Sequence, residues 1–173
     1  MLQIRHATTP ADFDAARALV ASFISWLRVL YAEDTASVDE YFQAIQPELA
    51  SLPGAYGPPS GCMLLAWLDD KPVGMVALRS LGPGTCEMKR MFVQASLHGR
   101  GVGKALADAL LTQARSLGYA RMRLDTSHRQ VAAIRLYRRL GFHEIEPYYA
   151  VSELLRATLI FMEFNLEAKA AQP

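Results

Sequence analysis

Met88-Lys89-Arg90-Met91-Phe92-Val93, followed by His98-Gly99-Arg100-Gly101-Val102-Gly103-Lys104-Ala105 and the stripe Val102, Leu106, Leu110, Ala114 and Leu117, is the run that decides the fold. The first six residues read as an apolar strand. The stripe recurs every four residues, the spacing of one helix face, and Gly118 is a natural stop behind it. Arg121 to Thr126 then alternates basic and apolar side chains as a strand does. A strand, a long helix and a second strand form a crossover, so the two strands should run parallel.

Working outward, Cys62 to Leu68, Val73 to Arg79 and Cys86 to Val93 read as three strands, joined by Asp69-Asp70-Lys71-Pro72 and Gly82-Pro83-Gly84. Leu2 to Ala7 suits a first strand. Pro10 can open a helix, because the N–H it lacks would have no partner there. Phe13, Ala16, Val20, Phe23, Leu27 and Leu30 continue that helix, and Asp34 to Leu52 suits a second, weaker one. Between Ser51 and Gly61 the prolines and glycines leave room only for a loop. Val131 to Leu140 reads as a last helix closed by Gly141, with strands expected at His143–Tyr149 and Thr158–Leu166. The class is α+β: a mixed, mostly antiparallel sheet of six or seven strands with about four helices. All 173 residues suit one domain, with a frayed Ala-rich tail at 168–173.

The turn from His98 to Ala105 has glycine at alternate positions. Without side chains, the backbone N–H groups of the first helical turn can approach an anion, helped by the positive end of the helix dipole. Arg100 and Lys104 add full charges. The P-loop spacing fails, because His98 stands at its first glycine and Ala105 replaces its hydroxyl. A dinucleotide fingerprint fails at Leu106 or Lys104, depending on where it starts. A plain helix start remains the competing reading.

The near-neutral total, 18 basic against 17 acidic residues, conceals an uneven distribution. Residues 89–139 hold eleven basic side chains and only Asp108 and Asp125 on the acidic side, while both flanks are acidic. Such a segment should sit near something anionic, or present solvated helix faces. Nucleic acid is disfavoured, since Tyr119 and Tyr137 are the only aromatics between Arg100 and Arg139. Cys62 and Cys86 lack metal or redox spacing, and the most apolar N-terminal run, Ala18 to Leu27, is too short for a membrane span. A soluble cytoplasmic protein with no metal and no membrane partner is the expectation; a homodimer stays open.

The strand, the glycine turn and the later Ala133-Ile134-Arg135-Leu136-Tyr137-Arg138-Arg139-Leu140-Gly141-Phe142, in that order, resemble the GNAT superfamily of N-acetyltransferases. The resemblance covers about residues 62–166. It implies the acyl-CoA N-acyltransferase fold, with a splayed central parallel pair, and acetyl-CoA as co-substrate. By position it implies that the amides of His98, Gly99, Arg100, Gly101, Val102, Gly103, Lys104 and Ala105 hold the pyrophosphate. Pantetheine would pair with the main chain of Met91, Phe92 and Val93, and Tyr137 would face the thioester sulfur. Arg135, Arg138 or Arg139 would lie near the 3′-phosphate. Two departures stand out: His98 replaces a Gln or Arg, making any anion contact there pH-dependent, and Gln130 replaces a frequent Asn.

The implied reaction moves an acetyl group to a primary amine of a small molecule or protein by direct attack on the thioester. It needs a base for the amine, a donor for the developing oxyanion and an acid for the departing thiolate. A main-chain N–H near Phe92 or Val93 suits the second task. Tyr137, with an ordinary pKa of about 10, suits the third, or else is a packed helix aromatic. Glu87 is the first choice of base, on the strand face it should share with Lys89 and Met91, against a salt bridge with Lys89 or Arg90. Asp125 and His128 are second choices. His6 and His143 read as structural or surface residues, and Cys86 as core. The acceptor should meet the first two helices, the Ser51–Gly61 loop and Pro147–Arg156, with Tyr148, Tyr149, Glu153 and Arg156. Tyr31, Glu33, Asp34 and Glu40 favour a cationic acceptor or a lysine side chain. A non-catalytic acyl-CoA sensor of the same fold is the alternative.

Overall fold

In the computed structural model, which describes residues 1–167, strand β1 (Leu2–His6) leads into helices α1 (Pro10–Leu30) and α2 (Thr35–Ala50). Strands β2 (Cys62–Leu68), β3 (Lys71–Gly82) and β4 (Thr85–Val93) form a meander. Helix α3 (Val102–Ser116) crosses to strand β5 (Arg121–Ser127), and helix α4 (Val131–Leu140) leads to β6 (His143–Ile145), helix α5 (Glu153–Thr158) and β7 (Leu159–Asn165). The tail expected at 168–173 lies outside the described residues.

Local chemistry explains most boundaries. Thr9 caps α1 in a capping box with Asp12, and Pro10 stands in the first turn as expected. Asp34 caps α2 through Ser37. Asp69 and Asp70 both take positive φ, 47° and 61°, the conformation a two-residue hairpin turn requires. Gly141 closes α4 at φ 102°.

The seven strands form one sheet in the order β1-β2-β3-β4-β5-β7-β6, antiparallel except for β4 with β5. Both faces are covered. On one, Leu64, Val76, Leu78, Met88 and Met122 pack under Leu106, Leu110 and Ala114 of α3. On the other, Met63, Leu65, Met75 and Ala77 pack under Leu19, Val20 and Ile24 of α1 and Ile45 of α2. The alternation puts even-numbered residues of β2, and of β3 from Gly74 on, toward α3 and odd-numbered ones toward α1 and α2, while Val73, before the register shift, packs on the α3 side.

The parallel pair is joined only over Thr85–Arg121, Cys86–Met122 and Glu87–Arg123. Beyond Glu87 and Arg123 the strands diverge, the splay that the resemblance implies. A bulge on the other edge of β4 accompanies the divergence. Ala77 pairs with Lys89 and Met75 with Phe92, so Arg90 and Met91 together oppose Val76. Arg90 adopts φ 56°, and an extra residue of this kind bends a strand.

The bulge corrects one expectation. Glu87 and Lys89 share a face, but Met91 does not join them: past Arg90 the alternation shifts, Met91 and Val93 pack toward α3 and Phe92 toward α1. Two boundaries also differ. The strand expected over His143–Tyr149 stops at Ile145, since Pro147 has no N–H for a ladder. Tyr148 and Tyr149 instead turn back, with ring centroids 5.5 and 5.2 Å from Phe161. The short helix α5, which no apolar period marks, precedes β7.

Candidate active site

At the start of α3 the turn is open. Gly99 and Gly101 have φ 77° and 83°, and a Cβ on either would meet no atom within 4 Å. The Ala105 N–H closes the first helical turn on the Gly101 carbonyl at 3.0 Å. The N–H groups of Val102, Gly103 and Lys104 precede that bond and have no intrahelical acceptor, and no side chain caps the helix. These donors fit a pyrophosphate without requiring any particular side chain. Gly103 is tighter: a Cβ there would lie 3.4 Å from Leu136 and 3.7 Å from Met91.

The charged side chains around this turn divide into two groups. Among the described residues, Arg100, Arg135 and Arg139 have no ion-pair partner, so they are free to meet phosphate. Lys104 pairs with Asp108 at 2.6 Å and Arg138 with Glu144 at 2.5 Å. The anion contact expected of His98 is replaced by another role. Its Nε2 lies 2.9 Å from the Val93 carbonyl, where it must donate, and its ring meets Trp26 edge-on at 6.3 Å. His98 therefore ties the glycine turn to the end of β4. Gln130 occupies the N-cap of α4 with no side-chain capping bond.

Between the diverging strands, Met91, Phe92 and Val93 have no partner from β5. Tyr137, on α4, is 4% exposed, and its hydroxyl has no hydrogen-bond partner among the described residues. Burial, with the nearby Asp125 carboxylate adding to it, pushes the phenol well above its ordinary range. It is thus a protonated donor at any physiological pH. At the far side of the opening, the Tyr31 hydroxyl bonds Ser127, and Arg129 stacks on the Tyr31 ring at 4.6 Å while bonding Glu33. The start of the α1–α2 connection is thereby tied to the β5–α4 turn.

The face beneath α2 carries a chain of buried and partly buried charges. Glu87 has no exposed surface. Arg79 Nε donates to its Oε2 at 2.6 Å and the Tyr148 hydroxyl to its Oε1 at 2.7 Å. Lys89 Nζ lies 3.7 Å from Glu87 and 2.8 Å from Asp125. Arg123 bonds Glu163 at 2.8 Å, and Arg90 bonds Glu48 at 2.7 Å and Tyr41 at 2.6 Å. With both oxygens held and no surface open to water or an amine, Glu87 is poorly placed as the base; the salt-bridge reading describes it better. Lys89–Asp125 spans the first step of the fork beyond the last backbone pair, with side chains 17% and 16% exposed.

The acidic excess of the N-terminal half is also mostly engaged. Glu33 pairs with Arg129 and Asp39 with Arg28, while Asp34 caps α2. Of the acidic residues expected to favour a cationic acceptor, Glu40 alone is exposed with no ion pair or capping role among the described residues. Burial pushes the Cys86 thiol up to about 12 and Cys62 up to about 11, so both stay protonated core residues. A cleft of about 660 Å³ opens at the other end of α3, beside Phe13, Pro53, Pro58 and Leu117, away from the fork. Among the described residues no group of three His, Cys, Asp or Glu could hold a metal ion.

A mixed sheet forked between two parallel strands, with a donor turn at one side of the fork, defines the acyl-CoA N-acyltransferase class. Residues 18–142 match the profile described as the Acetyltransferase (GNAT) family, and the chain belongs to that family. An uncharacterised N-acetyltransferase of Schizosaccharomyces pombe is 35% identical over 150 residues, 86% of each chain. Human N-acetylaspartate synthetase is 33% identical over 130 residues, covering 73% of this chain and 42% of that protein. The PaiA N-acetyltransferase of Thermoplasma acidophilum, solved with coenzyme A, superimposes with a TM-score of 0.75 at 14% identity, covering 95% of this chain and 99% of that one. The likeness at that identity concerns the fold.

The residues missed at sequence level are Arg79, the Arg90–Glu48–Tyr41 cluster and the Tyr31–Ser127–Arg129 contact. The hydrogen-bonded partners Arg79–Glu87, Arg90–Glu48, Arg90–Tyr41 and Tyr31–Ser127 lie between 8 and 96 positions apart in the chain, and only the Arg79–Glu87 separation was open to a hairpin argument.

Proposed function

We propose that this protein transfers the acetyl group of acetyl-CoA to the primary amine of a small molecule. The observation that supports it is the convergence on one fork of free amide donors, an unpaired strand edge and a protonated phenol. The amides of Gly99, Gly101, Val102, Gly103 and Lys104, with the Arg100 side chain, bind the pyrophosphate, and Arg135 or Arg139 the 3′-phosphate; the Arg100 and Ala105 N–H groups are taken by Leu97 and Gly101. Met91 to Val93 pair with the pantetheine arm, and an N–H of Phe92 or Val93 donates to the carbonyl oxygen as negative charge develops on it. Acetyl-CoA supplies an activated thioester. Tyr137 gives its proton to the departing sulfur.

Asp125 replaces Glu87 as the group that takes the proton of the amine. It lies at the fork, acts electrostatically on Tyr137, and retains some exposure. Glu87 becomes a positioning residue that holds Lys89, Arg79 and Tyr148 in place. The human relative's name contains an N-acetylated amino acid, which places α-amino acids among the acceptors to try. Two free buried thiols suit a reducing compartment such as the cytoplasm.

The test is thiol release from acetyl-CoA with the purified protein over a panel of amines, beside calorimetry of acetyl-CoA binding. Amine-dependent release that drops in Tyr137→Phe supports the reading. Tight binding without release on any amine favours the acyl-CoA sensor instead, and absence of binding removes both.

A further inference from the structure

Among the described residues, the buried and partly buried charges beside the fork are all paired, while Glu40 and Glu153 are exposed without an ion-pair partner. Arg79, Glu87, Lys89 and Asp125 form a connected set of two cations and two anions, closed at its ends by contacts of 2.6 and 2.8 Å. Arg123 with Glu163, and Arg90 with Glu48, are separate balanced pairs on the same face. Tyr148 and Tyr149 wall the set from the β6–α5 connection, Tyr148 bonded to Glu87 and Tyr149 lying against Asp125. His128 is turned away, its Nδ1 at 3.0 Å from the Thr158 carbonyl.

An ammonium entering such a place must take Asp125 as its counter-charge. In doing so it draws Asp125 from Lys89, and a simple amine leaves the set one positive charge in excess. Breaking one partner from a buried pair carries a high cost, because the remaining charge stays poorly solvated. A molecule that brings its own carboxylate beside its ammonium removes that excess: Asp125 receives the ammonium and Lys89 the carboxylate. Because Lys89 and Asp125 start in contact, the matching molecule is the one whose two charges are closest together. We propose that the acceptor is a free α-amino acid, held by exchange of the Lys89–Asp125 ion pair for two ion pairs to the zwitterion. This rests on the acetyltransferase reading above and deepens it.

The exchange also gives direction to the cycle. The nitrogen–carbon bond forms and the carbon–sulfur bond breaks; the ammonium gives one proton to Asp125 and on to solvent before attack, the sulfur leaves as a thiol with the Tyr137 proton, and the second proton lost from nitrogen restores the Tyr137 phenol. The product is an uncharged amide beside a carboxylate. It no longer offers Asp125 an ammonium, so Lys89 returns to Asp125 and the product is released. Specificity of this kind acts mainly against wrong molecules, by the unpaired charge they would leave behind.

The experiment compares each α-amino acid with the amine obtained by removing its carboxylate, reading kcat/KM from thiol release by the intact protein. The expected result is a preference of at least a hundredfold for one or more amino acids over the matching amine. Lys89→Met should reduce that preference to tenfold or less through the KM for the amino acid, and Lys89→Arg should retain it. If Lys89→Met does not fold, binding of the amino acid and of its amine to the unmodified protein with coenzyme A is compared by calorimetry. Equal use of the matching amine overturns the proposal and leaves acetyl transfer standing. So does acetyl-CoA binding with turnover only on simple amines or peptide lysines, or with no amino acid in the set accepted. Failure to bind acetyl-CoA at all overturns the underlying reading instead.

Discussion

The coenzyme side and the acceptor side of the fork are made from different chemistry. The coenzyme side uses backbone donors from one continuous turn, Gly99 to Lys104, with exposed arginines around it. The acceptor side uses side chains from β3, β4, β5 and the β6–α5 connection, buried or partly buried and paired with one another. A main-chain site tolerates changes of side chain but not of backbone conformation. A side-chain site built of compensated charges behaves in the opposite way, because removing one group strands its partner.

The contrast can be broken most severely at Tyr137, which stands between the two sides. Tyr137→Phe should lower kcat by about 10²–10⁴-fold, the usual contribution of a positioned acid, with acetyl-CoA affinity by calorimetry unchanged. The sign of its pH effect follows from the raised phenol: a proton donor fails as pH rises through its own value, so no loss from Tyr137 is expected below its ordinary 10.0. A kcat profile with a fall near neutral pH that disappears in Tyr137→Phe would contradict this.

On the acceptor side, Glu48→Ala leaves Arg90 buried with only Tyr41 to meet it. A loss of about 3 kcal/mol in urea unfolding is expected, the low end for a broken buried pair. On the coenzyme side, Gly101→Val forces a branched residue to positive φ at a cost of about 1–2 kcal/mol. Acetyl-CoA should then bind roughly tenfold or more weakly as the turn relaxes. Unchanged affinity would remove the glycine turn from the site.

Away from both sides, Thr9→Ala should cost about 1 kcal/mol in thermal unfolding through loss of the α1 cap, with turnover retained. Its partner Asp12 is held below the ordinary 3.8 by N–H groups of Thr8 and Thr9 and by the Thr9 hydroxyl. That contribution is complete above the ordinary value and is lost as pH falls through the lowered one. The smallest effect is expected for His98→Gln, within the ~0.5 kcal/mol of an ordinary surface substitution. A loss of more than tenfold in acetyl-CoA affinity would show that the tie to Val93 matters to binding.

Legibility followed chain distance. The α3 stripe and its glycine turn, the β2–β3 hairpin and α4 with Gly141 are local patterns, and the observed bounds agree with them to within a few residues. The fork itself was reached through the resemblance. The bulge was not legible, because nothing in Lys89-Arg90-Met91 forbids regular alternation. Arg90 takes its left-handed conformation where Glu48 and Tyr41, 42 and 49 positions away, hold its guanidinium. Glu87 was misjudged for the same reason: its neighbours in sequence did not reveal Tyr148 from 61 positions further on.

The order of the seven strands and of the first four helices, the turn that can present free amides to an anion, and the tyrosine on the helix after β5 were determined by the sequence alone. Each depends on period, on glycine conformation or on contacts a few residues apart. Only the tertiary structure decided which charges are free and which are compensated. The basic segment 89–139 contains both kinds, Arg100 and Arg135 without ion-pair partners among the described residues, Lys89 and Arg90 locked against Asp125 and Glu48. A charge is defined by the partner it meets in low dielectric, and that partner is supplied by the fold.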